Sequence, residues 1–155
     1  EGHIDQSLFA RTILDEKNGP PPEVNLFNEK NNGESLLNLI DKNFIKSAHD
    51  ISLGGILTAI SKMCIKGNKG IKLKKSKNLI NEIEYFFSED QGRYIIEISP
   101  KDLKEVTKIL NKNSVHHEEI GVIIDKELII NEKTKVTIDE LKSYNTNWLN
   151  NYMSS

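Results

Sequence analysis

Cysteine occurs once in this chain of 155 residues, as Cys64. A single thiol cannot close an internal disulfide and rules against a cysteine-based zinc site within one chain. A disulfide-free chain fits a reducing compartment, so the expected location is cytoplasmic. Arginine is nearly as scarce, confined to Arg11 and Arg93, whereas lysine, asparagine and isoleucine are common. That skew reads as a codon bias, since no structural demand produces it. A basic excess is missing too: 21 basic residues stand against 23 acidic ones, for a net charge of -2, which argues against a dedicated nucleic-acid binder. No apolar run approaches the roughly 18 residues of a membrane span. The first residues, Glu1-Gly2-His3-Ile4-Asp5, are polar and unlike a signal peptide. The chain does not start with Met, so it reads as a processed or excised piece.

What is present is a globular balance, with 37% hydrophobic and 28% charged residues. The length suits one domain with a real core. Residues 1–33 read as a lead-in: Leu8, Phe9, Ile13 and Leu14 mark a short helix, and Asn18-Gly19-Pro20-Pro21-Pro22 makes an extended connector. Residues 34–155 read as the domain proper. Helical spacing of apolar residues predicts helices over 34–44, 54–66, 77–87, from Pro100 to Asn111 with Leu103, Val106, Ile109 and Leu110 inward, and over 138–152 with Leu141, Trp148 and Leu149 as anchors. Strands are predicted at 45–50, 71–73 and 93–98, with a hairpin of 119–124 and 127–131 across Asp125-Lys126. The alternation implies an α/β or α+β layered fold with helices packed on a sheet.

The segment Ser47-Ala48-His49-Asp50-Ile51-Ser52-Leu53-Gly54-Gly55 is the most informative. A strand ends in His-Asp, a turn carries Ser, and a Gly pair opens a helix. Gly54 and Gly55 would let a phosphate approach the backbone at a helix N-terminus, where unpaired N–H groups and the dipole favour an anion. Asp50 suits Mg²⁺, a hard cation that takes carboxylate and phosphate oxygens, and Ser52 can donate to a phosphate. The competing reading is structural: Ser52 or Asp50 caps the helix, and the glycines permit close packing. A second segment, Ser88-Glu89-Asp90-Gln91-Gly92-Arg93, joins a helix to the clearest strand. Glu89 and Gln91 could read hydroxyls or an amide of a substrate, or the stretch is a plain turn with Gly92 at positive φ. His116-His117, beside Glu118 and Glu119, alternate faces in a strand and so read as a solvated edge. Cys64 reads as core. Lys72, Lys74, Lys75 and Lys77 read as solvated surface. No Walker A loop, no nucleophile elbow and no paired-carboxylate signature is present.

His49-Asp50-Ile51-Ser52-Leu53-Gly54-Gly55 resembles the His-Asp-x-Ser-(acidic)-Gly-Gly motif of the phosphoribosylformylglycinamidine synthase family. Three more segments follow that family's order. Gly2-His3-Ile4-Asp5-Gln6-Ser7-Leu8-Phe9 resembles the segment that enters its last domain. Gly19-Pro20-Pro21-Pro22 with Asn32-Gly33-Glu34 is similar to its connector. Phe86-Phe87-Ser88-Glu89-Asp90-Gln91-Gly92-Arg93-Tyr94 resembles its Phe-x-Glu-x-Gln-Gly-Arg turn, with Glu119-Ile120-Gly121 beyond. Leu53 stands where an acidic residue is usual, and Asp5-Gln6 where Gly-Gly is common.

The resemblance implies the C-terminal domain of the synthetase subunit. Its fold would be that of the aminoimidazole ribonucleotide synthetase C-terminal domain, a mixed sheet with packed helices, partly ferredoxin-like. The implied reaction is the ATP-dependent conversion of formylglycinamide ribonucleotide to the amidine in purine synthesis: ATP activates the amide oxygen, and ammonia from glutamine displaces the phosphate. ATP and Mg²⁺ are the implied cofactors. The implied partners are the remainder of the synthetase chain, a glutamine amidotransferase subunit and a small accessory subunit, with no nucleic acid and no membrane. By the same resemblance Asp50 holds Mg²⁺ at an auxiliary nucleotide site, and Ser52, Gly54 and Gly55 contact that nucleotide. Glu89, Asp90 and Gln91 match a substrate-binding turn of the enzyme's other half. No catalytic residue is implied in this chain, which is expected to be inactive alone. Other readings are a domain of another ATP-using relative, aminoimidazole ribonucleotide synthetase or selenophosphate synthetase, or a regulatory module that binds a metabolite without chemistry.

Overall fold

The computed structural model describes residues 2–74 and 81–154. In chain order its elements are α1 (Leu8–Thr12), α2 (Leu26–Asp41), β1 (Ile45–Asp50), α3 (Gly55–Gly67), β2 (Gly70–Leu73), α4 (Glu82–Phe87), β3 (Tyr94–Ile98), a 3₁₀ turn (Pro100–Asp102), α5 (Leu103–Lys112), β4 (Gly121–Ile124), β5 (Glu127–Ile130), β6 (Thr134–Thr137) and α6 (Ile138–Met153). The chain divides into two compact units, Glu1–Ile60 with Leu79–Glu118, and Ser61–Asn78 with Glu119–Ser155.

In the first unit, short polar side chains set where helices begin. Ser7 Oγ accepts from the Ala10 N–H at 3.1 Å to start α1. Asn25 does the same for α2 through Asn28 at 3.0 Å. Helix α2 therefore begins well before residue 34, where the apolar spacing put it. Asn31, Asn32 and Gly33 are poor helix formers and hide the first two turns. Tertiary hydrogen bonds override that propensity: the Asn31 amide donates to the Asn113 carbonyl at 2.7 Å, and the Asn32 amide to the Gly92 carbonyl at 3.0 Å. Strands β1 and β3 pair antiparallel, with Asp50 opposite Tyr94. Leu39 of α2 packs with Val106 and Leu110 of α5 over Phe44, Ile45, Ile96 and Ile98. Each such buried side chain contributes about 1.5–3 kcal/mol. Leu103, expected inward, is exposed at the start of α5. Of the helix expected over 77–87, Ile83, Phe86 and Phe87 lie in α4, while Leu79 and Ile80 fall outside the described residues.

The second unit is a four-stranded mixed sheet in the order β4-β2-β5-β6. The expected hairpin of β4 with β5 does not form. Strand β2 lies between them, antiparallel to β4 and parallel to β5. The Asp125-Lys126 turn instead wraps the start of β2, where the Gly70 N–H donates to the Asp125 carbonyl at 3.0 Å. A side chain on Gly70 would strike the Glu127 backbone, so only glycine fits beneath that turn. Strand β6 carries a single apolar residue, Val136, which left no alternation to read. Helix α6 opens on a capping box: the Thr137 N–H donates to Glu140 Oε2 at 2.8 Å, and the Glu140 N–H to Thr137 Oγ1 at 3.2 Å. Its anchor is Ile138, fully buried; Trp148 and Leu149, expected to be anchors, are 65% and 54% exposed. Lys72 and Lys74 pair with Glu132 at 2.8 Å and Glu119 at 2.6 Å; Lys75 and Lys77 lie outside the described residues. No helix among the described residues is long and apolar enough to cross a membrane.

Candidate functional site

The period of β1 decides which side of the first motif faces solvent. Along the strand, half-buried and exposed residues alternate, so His49 turns inward and Asp50 outward. The Asp50 side chain is 64% exposed, and its carboxylate lies 3.3 Å from His49 Nδ1. That ring nitrogen also lies 2.6 Å from the Asp50 carbonyl. Ile51 is buried, and its N–H donates to the Arg93 carbonyl at 2.9 Å, which joins the two motifs. Ser52 and Leu53 form an exposed tip. The chain then reverses: the Gly55 N–H donates to the Ser52 carbonyl at 3.0 Å.

Both glycines are forced by this chain's own backbone. Gly54 and Gly55 have φ of +82° and +68°, the left-handed region. A Cβ on Gly55 would lie 2.6 Å from the Phe86 carbonyl oxygen and 2.7 Å from Phe87 Cα. Both residues are buried, so close packing accounts for the pair. Neither Asp50 nor Ser52 caps the turn; the Gly54 N–H donates to Glu89 Oε1 at 2.8 Å.

Glu89 therefore reaches across from the second motif. The same oxygen accepts from the Leu8 N–H at 2.7 Å. Asp90 is 7% exposed, accepts from the His3 N–H at 3.3 Å and faces the Arg93 guanidinium at 3.5 Å. Arg93 holds the turn closed. Its Nη2 donates to the Ser88 carbonyl at 2.7 Å and its Nε to the Asp90 carbonyl at 3.2 Å. Gly92 has φ +67°, as expected of the turn, and a side chain there would bring a Cβ within 3.2 Å of Glu29 Cα. Of the three residues expected to read a substrate, Gln91 alone is exposed; Glu89 is half-buried and Asp90 turned inward. The structure thus brings Gly54 to Glu89, and leaves Asp50 and Ser52 at the surface.

Sequence reading missed the lead-in's part in this cluster. Gln6 stands at φ +62° where the resembled family commonly has glycine, and its side chain compensates. Its amide donates to the carbonyls of Lys17 at 2.7 Å and Gly19 at 3.1 Å, and its oxygen accepts from Arg11 at 2.7 Å. The signal for Arg93 was in plain view: an acid three residues before a lone arginine, across a glycine.

His116 and His117 lie in the connection before β4, not on a strand edge, and His117 Nδ1 sits 2.9 Å from the Val115 carbonyl. No group of three or more His, Cys, Asp or Glu residues among the described residues could hold a metal by itself. Burial raises the Tyr85 hydroxyl well above the usual tyrosine range, reinforced by its 2.6 Å hydrogen bond to Glu118. Burial likewise pushes the Cys64 thiol up to about 11, as suits a core cysteine rather than a nucleophile.

This lead-in, glycine turn and stapled Ser88–Arg93 turn belong to a defined class. Residues 6–131 match the family model described as AIR synthase related protein, C-terminal domain, and the chain belongs to that family. It is 69% identical over all 155 residues to phosphoribosylformylglycinamidine synthase subunit PurL of Pelagibacter ubique, and 37% identical over 151 residues to that of Bartonella henselae. It spans about a fifth of the length of these curated relatives, 21% and 20%. Among solved structures it is similar to phosphoribosylformylglycinamidine synthase II from Thermotoga maritima, with a TM-score of 0.68 and 20% identity over 90% of this chain and 24% of that one. It also resembles T. maritima PurL complexed with ATP, with a TM-score of 0.63 and 21% identity over 72% of this chain and 21% of that one. These likenesses show the fold: an α+β domain with sheets and packed helices.

Proposed function

We propose that this chain serves as the C-terminal domain of a phosphoribosylformylglycinamidine synthase, the ligase that converts formylglycinamide ribonucleotide to its amidine with ATP and glutamine-derived ammonia. The observation that carries this reading is the 69% identity that runs the whole length of the chain. On this reading the chain alone is inactive, because the resembled family's catalytic histidine and main Mg²⁺ ligands match nothing in it. The remainder of the synthetase polypeptide would be its first partner, in the cytoplasm. The solved assembly named PurLQS from Thermotoga maritima supports the expectation of partner subunits; an amidotransferase and a small accessory subunit are those the resemblance implies.

The auxiliary nucleotide role falls to Asp50, Ser52, Gly54 and Gly55. Asp50 fits Mg²⁺ as one exposed carboxylate, the usual protein share when phosphates and waters complete the shell. When bound, the ion would neutralise phosphate charge beside β1. The Ser52 hydroxyl stands exposed at the tip, in position to donate to a phosphate oxygen. Glu89, Asp90 and Gln91 match a substrate-binding turn by resemblance, but Glu89 and Asp90 spend their carboxylates on this chain's own N–H groups.

The test compares the 155-residue chain with the full synthetase polypeptide, each given formylglycinamide ribonucleotide, Mg²⁺–ATP and ammonia. Amidine formation and stoichiometric ADP release are expected from the long polypeptide only. A long polypeptide that turns over a different acceptor would overturn the reading in favour of another ATP-using relative.

A further inference from the structure

One carboxylate oxygen serves two parts of the chain that are far apart in sequence. Glu89 Oε1 accepts from Leu8, the first residue of α1, at 2.7 Å, and from Gly54, in the glycine turn, at 2.8 Å. Two further bonds hold the same lead-in: the Glu89 N–H donates to the His3 carbonyl at 3.2 Å, and the His3 N–H to Asp90 Oδ1 at 3.3 Å. Hydrogen bonds to an ionised acceptor are about twice as strong as neutral ones. Gly54 is buried, so leaving its N–H without an acceptor is costly. Leu8 is exposed and can exchange its acceptor for water. Helix α1 has five residues, too few to hold its own first turn without outside ties.

We infer that Glu89 is a latch shared between the lead-in and the glycine turn: an anion that takes the Gly54 N–H displaces the carboxylate and releases the start of α1. A phosphate oxygen and a carboxylate oxygen offer that N–H the same anionic acceptor. Gly54 is therefore satisfied in either state, and the change is felt at Leu8. The release half of this inference rests on the auxiliary nucleotide reading; the latch itself does not. Glu89 acts as a positioning residue, and its role is conformational.

The experiment is residue-resolved amide exchange on the 155-residue chain. Without ligand, Glu89→Ala should speed exchange at both Leu8 and Gly54 by roughly ten-fold or more. Ala10, tied to Ser7 Oγ, should keep its protection and reports that α1 is otherwise intact. Glu89→Gln should show a smaller rise at the same two amides, and it carries the test if the alanine variant does not fold. Protection unchanged at either amide overturns the latch. In the second arm Mg²⁺–ATP and, separately, inorganic phosphate are added to wild type. The Gly54 resonance should shift and Leu8 exchange should accelerate together, with no further acceleration at Leu8 in Glu89→Ala. A Gly54 response without a Leu8 response overturns the coupling and leaves the nucleotide reading standing. No response at Gly54 in wild type or variant overturns the nucleotide reading and the release step with it, while the ligand-free arm still decides the latch.

Discussion

Glycine identity matters at some positions and not at others, and the geometry says which. Gly55 has positive φ and no room beside the Phe86 carbonyl, so Gly55→Ala should destabilise the chain by about 2–4 kcal/mol. Gly67 ends α3 with ordinary φ and open space, nothing within 4 Å, where a Cβ would stand. There, Gly67→Ala should stabilise by about 0.4–1 kcal/mol through the unfolded chain. Denaturant melts of the two variants check both signs. Titration gives a second residue-scale expectation. Tyr85 and Cys64 both have folded pKa values raised above their unfolded ones, so the folded state holds their protons more tightly. Their contribution is fully present below the unfolded values and is lost as pH climbs past them. Melting temperature should therefore fall from about pH 9, where an unfolded thiol ionises, and further above about pH 10, where an unfolded tyrosine does. Tyr85→Phe should remove the upper part of that fall and leave the lower part.

Among the elements, α6 owes its start to a local device and carries an exposed aromatic stripe. Thr137→Ala breaks the capping box and should cost about 1 kcal/mol, measured by thermal unfolding. Glu140 is held below the usual carboxylate range by the Thr137 backbone and side chain, so its support is present at neutral pH and fades as pH falls through that lowered value. The difference between Thr137→Ala and wild type should narrow correspondingly in acid. Tyr144, Trp148 and Tyr152 recur every four residues and are all mostly exposed, with Trp148 stacked on Tyr152 at 5.8 Å. Trp148 is the single tryptophan, so its emission reports this face alone. Acrylamide should quench it nearly as readily in the folded 155-residue chain as in the unfolded one; strong protection would contradict the exposure of α6.

For the whole molecule, the proposed role places the chemistry outside this chain and a supporting site within it. If Asp50 holds an auxiliary Mg²⁺–nucleotide, Asp50→Ala in the full synthetase polypeptide should reduce co-purified nucleotide and melting temperature while initial rates at saturating substrate change little. Retained nucleotide together with unchanged melting would remove Asp50 from that role. Loss of rate without loss of nucleotide would place Asp50 in the chemistry instead.

The sequence by itself determined the family, most elements and the two motifs, though not that they meet at the glycine turn. Motifs such as His49–Gly55 and Ser88–Arg93 are contiguous, and apolar periodicity places a helix or strand wherever one face must leave water. Element ends and partners were harder to read. Helix α2 starts early because Asn31 and Asn32 find acceptors on segments remote in sequence, which local propensity cannot express. Strand β2 divides the expected hairpin because Gly70 admits the turn that wraps it, a fact of pairing and not of pattern. What the glycine turn does with its N–H was decided only in three dimensions. Sequence chemistry offered it a phosphate or a cap from Ser52 or Asp50; the fold supplied Glu89, because strand pairing brings Ile51 against Arg93 and carries the acidic turn within reach. Local rules state which groups need partners, whereas long-range packing chooses among the partners available.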